Sequence, residues 1–172
     1  MPVVVCANLP YYITSPIIMR LLEGPLPIRS LTVMVQKEAA VRITAAPGTR
    51  ECGAISAAVW YYSTPKLLFP VSRGSFLPAP AVDSAVIRLD LPRELPEDLP
   101  PREDFFAVVR AGFGQRRKTM LNSLSAGLRW EKDATRALLT AAGIAENARA
   151  EQVTLEQWKA LTRAYFSMKK SR

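Results

Sequence analysis

The residues with the clearest chemical potential lie near the amino end of the chain, where the apolar run Val3–Ala7 is followed at once by Asn8, Leu9, Pro10 and Tyr11. A buried strand that ends in this way brings an amide, a proline carbonyl and an aromatic face to one small site. Pro10 also fixes the local backbone and removes a competing N–H donor. The segment therefore predicts a site for a flat ring that carries an amino group, such as adenine.

The chemistry of such an amine explains why these residue types suit it. An exocyclic ring amine is a poor nucleophile because its lone pair is delocalised into the ring. An amide oxygen and a backbone carbonyl that accept both N–H groups favour the rehybridised nitrogen that attacks, by orientation and electrostatics alone. The alternative is a simple strand-terminating turn, since Asn and Pro both favour turns.

A second aromatic residue, Phe76, stands at the head of the Pro-rich segment Phe76–Val86. A base held outside a nucleic-acid stack needs flat walls on both faces, and Phe76 is a candidate for the wall opposite Tyr11. The alternative interpretation packs Phe76 in the core.

A cluster of cations, Arg116, Arg117 and Lys118, lies within the stretch Phe105–Trp130, which contains no acidic residue. A solvated helix face is one explanation. Uncompensated Arg and Lys between a glycine and a helix are more typical of phosphate contacts, and the formal net charge of +8 agrees with a polyanionic partner.

The composition excludes several kinds of site. There is no histidine and there are only two cysteines, so His-dependent triads and metal centres are not expected. Cys6 lies in an apolar strand and is predicted to be a buried free thiol. No apolar run approaches the ~20 residues that span a bilayer, and the amino-terminal residues do not have the pattern of a signal peptide, which together predict a cytoplasmic protein.

The apolar patterning predicts an α/β sheet followed by helices. Strands are expected at residues 2–7, 30–36, 66–71 and 82–91, with helices from Ser15 as N-cap, over 37–45 and over 54–62, although 59–62 also suits a strand. The last two strands are expected to form an antiparallel hairpin at the sheet edge. A Pro-rich acidic segment then interrupts the pattern, and four helices follow near 105–113, 120–124, 134–142 and 154–168, the last with Thr154 and Gln157 as a capping box.

Five segments together resemble the small-subunit ribosomal RNA adenine N6,N6-dimethyltransferases, which use S-adenosylmethionine to dimethylate two adjacent adenines. They are Asn8–Pro16, Val35–Ile43, Phe76–Leu89, Phe113–Leu124 and Arg149–Trp158. The resemblance covers essentially the whole chain, and the segment Phe113–Leu124 separates this group from the related large-subunit resistance methyltransferases.

The resemblance implies roles for single residues. Asn8 and the Pro10 carbonyl would hold the target amine, with Asn8 also near the cofactor. Tyr11 and Phe76 would flank the base, and Leu9 and Tyr12 would contribute to the substrate site. Cations of the helical part, Arg116, Arg117 and Lys118, would face ribosomal RNA.

The resemblance also implies a division of the chain. Residues 1–91 would be part of a Rossmann-like methyltransferase domain, 92–101 a linker, and 102–172 a helical RNA-binding domain. The family's glycine-rich loop and acidic cofactor ligands have no counterpart in these 172 residues. The chain is therefore expected to be the C-terminal portion of such an enzyme, to lack most of the S-adenosylmethionine site, and to be inactive alone.

Two further expectations concern partners. Strand 2–7 would be an exposed apolar edge, through which the chain self-associates or which another segment closes. The alternatives to small-subunit adenine dimethylation are a non-catalytic rRNA-binding module and an adenine methyltransferase that acts on DNA or on large-subunit rRNA.

Overall fold

The computed structural model describes residues 2–115 and 117–171. The chain divides into two compact units, residues 1–45 with 58–95 and residues 46–57 with 96–172. The first unit holds the described strands and the second holds most of the described helices, so the expected mixed α/β class is confirmed. Among the described residues, no helix combines the length and apolarity needed to cross a membrane.

The first unit is built on strands β1 (Val3–Asn8) and β2 (Ile28–Gln36), which pair in parallel. The connecting helix α1 (Thr14–Glu23) buries Ile18 and Leu22, four residues apart on one face. Both strands are rich in β-branched residues, which favour the extended conformation. Because β1 and β2 run in the same direction, their carboxyl ends meet at one edge of the sheet.

The other two strands, β3 (Thr64–Val71) and β4 (Ser84–Asp90), form the expected antiparallel hairpin. β4 also pairs antiparallel with β2, so the order among the described strands is β1-β2-β4-β3. Helix α2 (Lys37–Thr44) contacts β3 and β4. Helix α3 (Ala54–Tyr62) precedes β3 and resolves the alternative of a strand at 59–62 in favour of helix.

Two predictions for the amino-terminal part of the chain were wrong. Cys6 is exposed, because successive side chains of β1 alternate between two faces and Cys6 lies on the more exposed face, with Val4 and Asn8. Ser15 does not cap α1, because the helix already begins at Thr14. The N-cap position is occupied by Ile13, and no side chain there accepts a hydrogen bond from the first turn. The reason is a 3-10 turn over Tyr11–Ile13, which runs directly into the helix, so that Ser15 already lies inside the first helical turn.

The second unit packs helices α4 (Arg102–Phe113), α5 (Met120–Leu128), α6 (Lys132–Ala141) and α7 (Leu155–Lys170). α4 contacts both α5 and α7, and the core contains fully buried side chains from all four helices, among them Phe105, Leu124, Leu138 and Trp158. The capping box of Thr154 and Gln157 at the start of α7 is confirmed.

Close helix packing in this unit depends on small residues. A Cβ built on Gly112 of α4 would lie 2.5 Å from the Trp158 ring, and one on Gly127 of α5 would lie 2.6 Å from Ala111. Neither position has room for a side chain unless the helices separate.

Residues 46–57 belong to this helical unit. Gly48 has a positive φ of 94°, and its Cα approaches the side chain of Thr154 so closely that a Cβ would lie 3.2 Å from Cγ2. Burial raises the pKa of the Cys52 thiol, although a hydrogen bond with Ser56 partly offsets this effect. The thiolate of Cys52 is therefore disfavoured at neutral pH.

Candidate active site

The carboxyl end of β1 fixes the first group of predicted site residues. Asn8 is the last residue of β1 and lies opposite Met34 of β2. The N–H of Leu9 donates to the Met34 carbonyl at 3.1 Å, and the Leu9 side chain is buried. The backbone is thus anchored on both sides of Asn8, whose side chain remains exposed.

Pro10 begins a tight turn whose carbonyl is already hydrogen bonded. It accepts from the N–H of Ile13 at 3.3 Å and from the hydroxyl of Thr14 at 3.1 Å. The Thr14 hydroxyl also lies 3.3 Å from the Tyr11 carbonyl. Thr14 is almost fully buried, so its hydroxyl fixes the turn from the interior of the unit.

The ring of Tyr11 is fixed by a contact distant in sequence. Its hydroxyl lies 2.6 Å from the hydroxyl of Ser84, a fully buried residue at the start of β4. Sequence reasoning did not identify Ser84, although its place directly before an apolar run at the end of the Pro-rich loop was visible. The adjacent Tyr12 points elsewhere: its side chain is 87% exposed.

The loop that carries Phe76 is closed at both ends. The hydroxyl of Ser72 accepts from the N–H of Gly74, and the carboxylate of Asp83 accepts from the N–H of Arg73 at 3.0 Å. β4 accordingly begins at Ser84 and not at Val82, because Asp83 belongs to this closure. The Leu77–Pro78 peptide is cis.

These two segments together form an open cavity of about 420 Å³, which we call the base cavity. Its walls are residues Asn8–Tyr11 from the end of β1 and Phe76, Pro78 and Pro80 from the loop before β4. The volume falls in the range of about 300–1,000 Å³ typical of small-molecule sites. Five of the residues predicted from the sequence, Asn8, Leu9, Pro10, Tyr11 and Phe76, thus line one cavity. Tyr12 is not among the lining residues.

The basic segment lies in the other unit. It connects α4 to α5, where Arg117 and Lys118 are exposed and the N–H of Lys118 donates to the Gln115 carbonyl. Arg116 lies outside the described residues. Met120 starts α5, and its N–H donates to the Ala148 carbonyl at 2.7 Å, which anchors the end of the segment.

A comparison with known protein families identifies the group to which this arrangement belongs. The family model described as "Ribosomal RNA adenine dimethylase" matches residues 1–166. The chain belongs to the ribosomal RNA adenine dimethylase family. The matched residues include the end of β1, the Pro-rich loop and the basic segment between α4 and α5.

Curated relatives of this dimethylase-family chain carry one name. The "Ribosomal RNA small subunit methyltransferase A" of Alkaliphilus oremlandii (strain OhILAs) is 52% identical over 159 residues, which are 91% of this chain and 55% of that protein. That of Alkaliphilus metalliredigens (strain QYMF) is 49% identical over 164 residues, 94% of this chain and 57% of that protein. The chain thus spans a little over half the length of these curated relatives.

Solved structures agree with the fold. A dimethyladenosine transferase from Plasmodium falciparum matches with a TM-score of 0.75 and 23% identity, covering 95% of this chain and 66% of that one. The 23S rRNA methyltransferase ErmE matches with a TM-score of 0.68 and 28% identity, covering 95% and 65%.

Proposed function

We propose that this chain carries the acceptor side of an rRNA adenine N6,N6-dimethyltransferase that acts on adjacent adenines of small-subunit rRNA. The observation that carries the proposal is the base cavity, whose lining residues include Asn8, Pro10 and the two aromatic residues Tyr11 and Phe76. The activity that this family implies takes its methyl groups from S-adenosylmethionine. The curated relatives, named for the small subunit, favour that substrate over large-subunit rRNA.

The roles of the cavity residues follow from their chemistry. The Asn8 amide oxygen and the Pro10 carbonyl would each accept an N–H of the target amine, while the rings of Tyr11 and Phe76 would stack on the base. Leu9 would contribute mainly its backbone, because its side chain is buried. The exposed ring of Tyr12 lies outside the cavity walls and would contact RNA beyond the base.

The Pro10 carbonyl can serve in this way only if one internal hydrogen bond is exchanged. Its bond from the Thr14 hydroxyl is the one most easily given up, because that hydroxyl can donate instead to the Tyr11 carbonyl at 3.3 Å. When the amine binds, the Thr14 hydroxyl would therefore change its hydrogen-bond acceptor from the Pro10 carbonyl to the Tyr11 carbonyl, and would not be left unpaired.

The cofactor fits these residues only in part. Asn8 is the one residue that we assign to it, and the 172 residues contain no glycine-rich loop after a strand. We propose that the chain by itself binds S-adenosylmethionine weakly and does not methylate. Calorimetry that detects micromolar binding by this chain would contradict this part of the proposal.

The functional division of the chain is part of the same proposal. Residues 1–91 would supply the methyltransferase part, 92–101 the linker, and 102–172 the RNA-binding part with Arg117 and Lys118 toward rRNA. An rRNA-binding module without catalysis remains the second candidate, which those exposed cations favour. Assembly on small-subunit rRNA would place the protein in the cytoplasm.

The edge of β1 allows a further association. Among the described strands β1 pairs only with β2, and Val4 on it is 66% exposed. We propose that the chain self-associates through this edge or that another segment closes it. Light scattering that reports a monomer, together with fast amide exchange over residues 2–7, would count against self-association.

A chimera tests the catalytic proposal. Residues 1–166 would replace the matching part of the Alkaliphilus oremlandii relative, and methyl transfer to unmodified small ribosomal subunits would be measured by mass spectrometry of the adenines. We expect activity, and we expect Asn8→Ala to lower kcat/KM by about 10²–10³-fold, the usual cost of one oriented group at a developing charge.

The matched control is Asn147→Ala, since Asn147 is an exposed asparagine of the helical unit. An inactive chimera beside an active relative, or an Asn8→Ala chimera as active as its parent, would contradict the catalytic proposal. Large ribosomal subunits offered in place of small ones test the choice of RNA.

A further inference from the structure

A second cavity, of about 390 Å³, lies in the first unit and is not used by the roles assigned above. Its walls include Gln36 at the end of β2, Lys37 and Glu38 at the start of α2, and Arg73 and Asp83 from the two ends of the Phe76 loop. The same loop therefore contributes to both cavities. Ser84, which holds Tyr11 in the base cavity, follows Asp83 directly and pairs with Gln36 across the sheet.

Backbone hydrogen bonds brace this second cavity. The N–H of Lys37 donates to the Asp83 carbonyl at 3.0 Å, and the N–H of Arg73 donates to the Asp83 carboxylate at 3.0 Å. Both braces use the main chain of the cationic residues. Their side chains can therefore be exchanged while the framework stays in place.

The two cationic side chains are available to a ligand. Lys37 and Arg73 are both exposed, and in the described part of the chain neither forms an ion pair. The Arg73 guanidinium makes a long hydrogen bond of 3.4 Å to the Ala81 carbonyl, which a phosphate oxygen can readily replace. Asp83 is engaged with the Arg73 N–H, so its carboxylate serves chiefly to close the loop.

The mixture of groups indicates which ligand fits. Two cations beside two carboxylates carry no net positive charge, so charge alone does not select an anion here and a ligand needs further polar contacts. A nucleotide combines one anionic phosphodiester with hydroxyl and amino groups, which the Gln36 amide and the Glu38 carboxylate can bind. A second nucleotide beside a base held in the first cavity would match this pattern.

We propose that this second cavity binds the nucleotide next to the target adenosine, with its phosphodiester on Lys37 and Arg73. The proposal rests on the proposed function, since it assumes that an adenine occupies the base cavity. The subsite would hold the RNA strand in register while the adenine is outside the stack, and it would recognise backbone charge, not the identity of the base.

The test compares three ligands of the wild-type chain by NMR titration. They are adenosine, the dinucleotide ApA, and ApA with an uncharged methylphosphonate linkage. We expect ApA to bind about three- to fivefold more tightly than its uncharged analogue, as for exposed charge-assisted contacts that solvent screens. The ApA advantage should fall as salt rises, and shifts should appear at residues 36–38, 73 and 83.

Variants assign the charge effect to the two side chains. Arg73→Gln and Lys37→Gln should each reduce the advantage of ApA over the uncharged analogue while adenosine affinity stays unchanged. Arg20→Gln is the matched control, since Arg20 is an exposed arginine on α1 and does not line either cavity. Preserved amide spectra show that each variant is folded.

The outcomes separate this inference from the proposed function. Equal affinity for ApA and its uncharged analogue, or an unchanged ApA advantage in both Gln variants, overturns the subsite even where adenosine perturbs Asn8 and Tyr11. Charge-dependent shifts at Lys37 and Arg73 support a phosphodiester site. If adenosine leaves Asn8, Tyr11 and Phe76 unperturbed, the proposed binding of adenine in the base cavity is contradicted.

Discussion

At the scale of single residues, Tyr11 shows how a side chain becomes a rigid wall. A ring that stacks on a base loses affinity if it must first be ordered, and the 2.6 Å contact with the Ser84 hydroxyl orders it beforehand. Ser84 is fully buried, so its hydroxyl has little access to solvent water as an alternative partner. The contact should therefore contribute both to stability and to ligand binding.

Removal of the Tyr11 hydroxyl tests this contact. In Tyr11→Phe the buried Ser84 hydroxyl is left without its partner, and we expect the free energy of unfolding to fall by about 1–3 kcal/mol. Adenosine affinity should fall too, but less than in Tyr11→Ala, which also removes the ring. Urea denaturation and NMR titration measure the two effects. Tyr12→Phe is the control, and equal stability of the Tyr11→Phe and Tyr12→Phe variants would contradict the argument.

At the scale of elements, the helical unit is held by approaches that leave no space for a methyl group. Gly112 places the backbone of α4 against the six-membered ring of Trp158 on α7, which is itself fully buried. A rigid indole cannot move aside as a flexible chain end can. The glycine is needed here for its small size, since it lies within a regular helix and its φ is not positive.

Gly112→Ala measures that packing. The new Cβ would lie 2.5 Å from Trp158 Cη2, so α4 and α7 must shift, at a cost of about 1–3 kcal/mol in the free energy of unfolding. Thermal or urea denaturation, followed by the fluorescence of the tryptophans, gives the value. Gly74→Ala is a suitable comparison because its nearest neighbour is 3.7 Å away. Equal effects of both changes would show that the α4–α7 packing is looser than described.

At the scale of the whole molecule, the excess of cations is the property that concerns the partner. A formal charge of +8 attracts RNA at long range, but only cations that contact phosphates release counterions. Exposed Arg117 and Lys118 are the described candidates. Their contribution should be visible in how RNA binding depends on salt.

The salt dependence of binding to a single-stranded rRNA fragment tests these two cations. With both changed to Gln, the slope of log K against log salt should fall in magnitude by about 1.4, because each neutralised phosphate of a single strand contributes ~0.7. Fluorescence anisotropy over a salt series measures it. Arg102 and Lys132 are exposed and form no ion pair within the described ranges, so the same double change there provides the control. If both double variants gave the same slope of log K against log salt, the proposed contacts of Arg117 and Lys118 with rRNA phosphates would be contradicted.

The sequence by itself determined the elements, the family and the order of the motifs along the chain. Periodicity and turn residues report local backbone preferences, which is why the strands, the hairpin and the Thr154 capping box were predicted.

Tertiary structure alone decided that Tyr11 meets Ser84, 73 residues later, that Asp83 closes the Phe76 loop, and that residues 46–57 join the helical unit. It also decided that Cys6 is exposed. These outcomes depend on which face of a strand is covered and on which side chains meet across the sheet, and such long-range burial leaves no periodic signal in the local sequence.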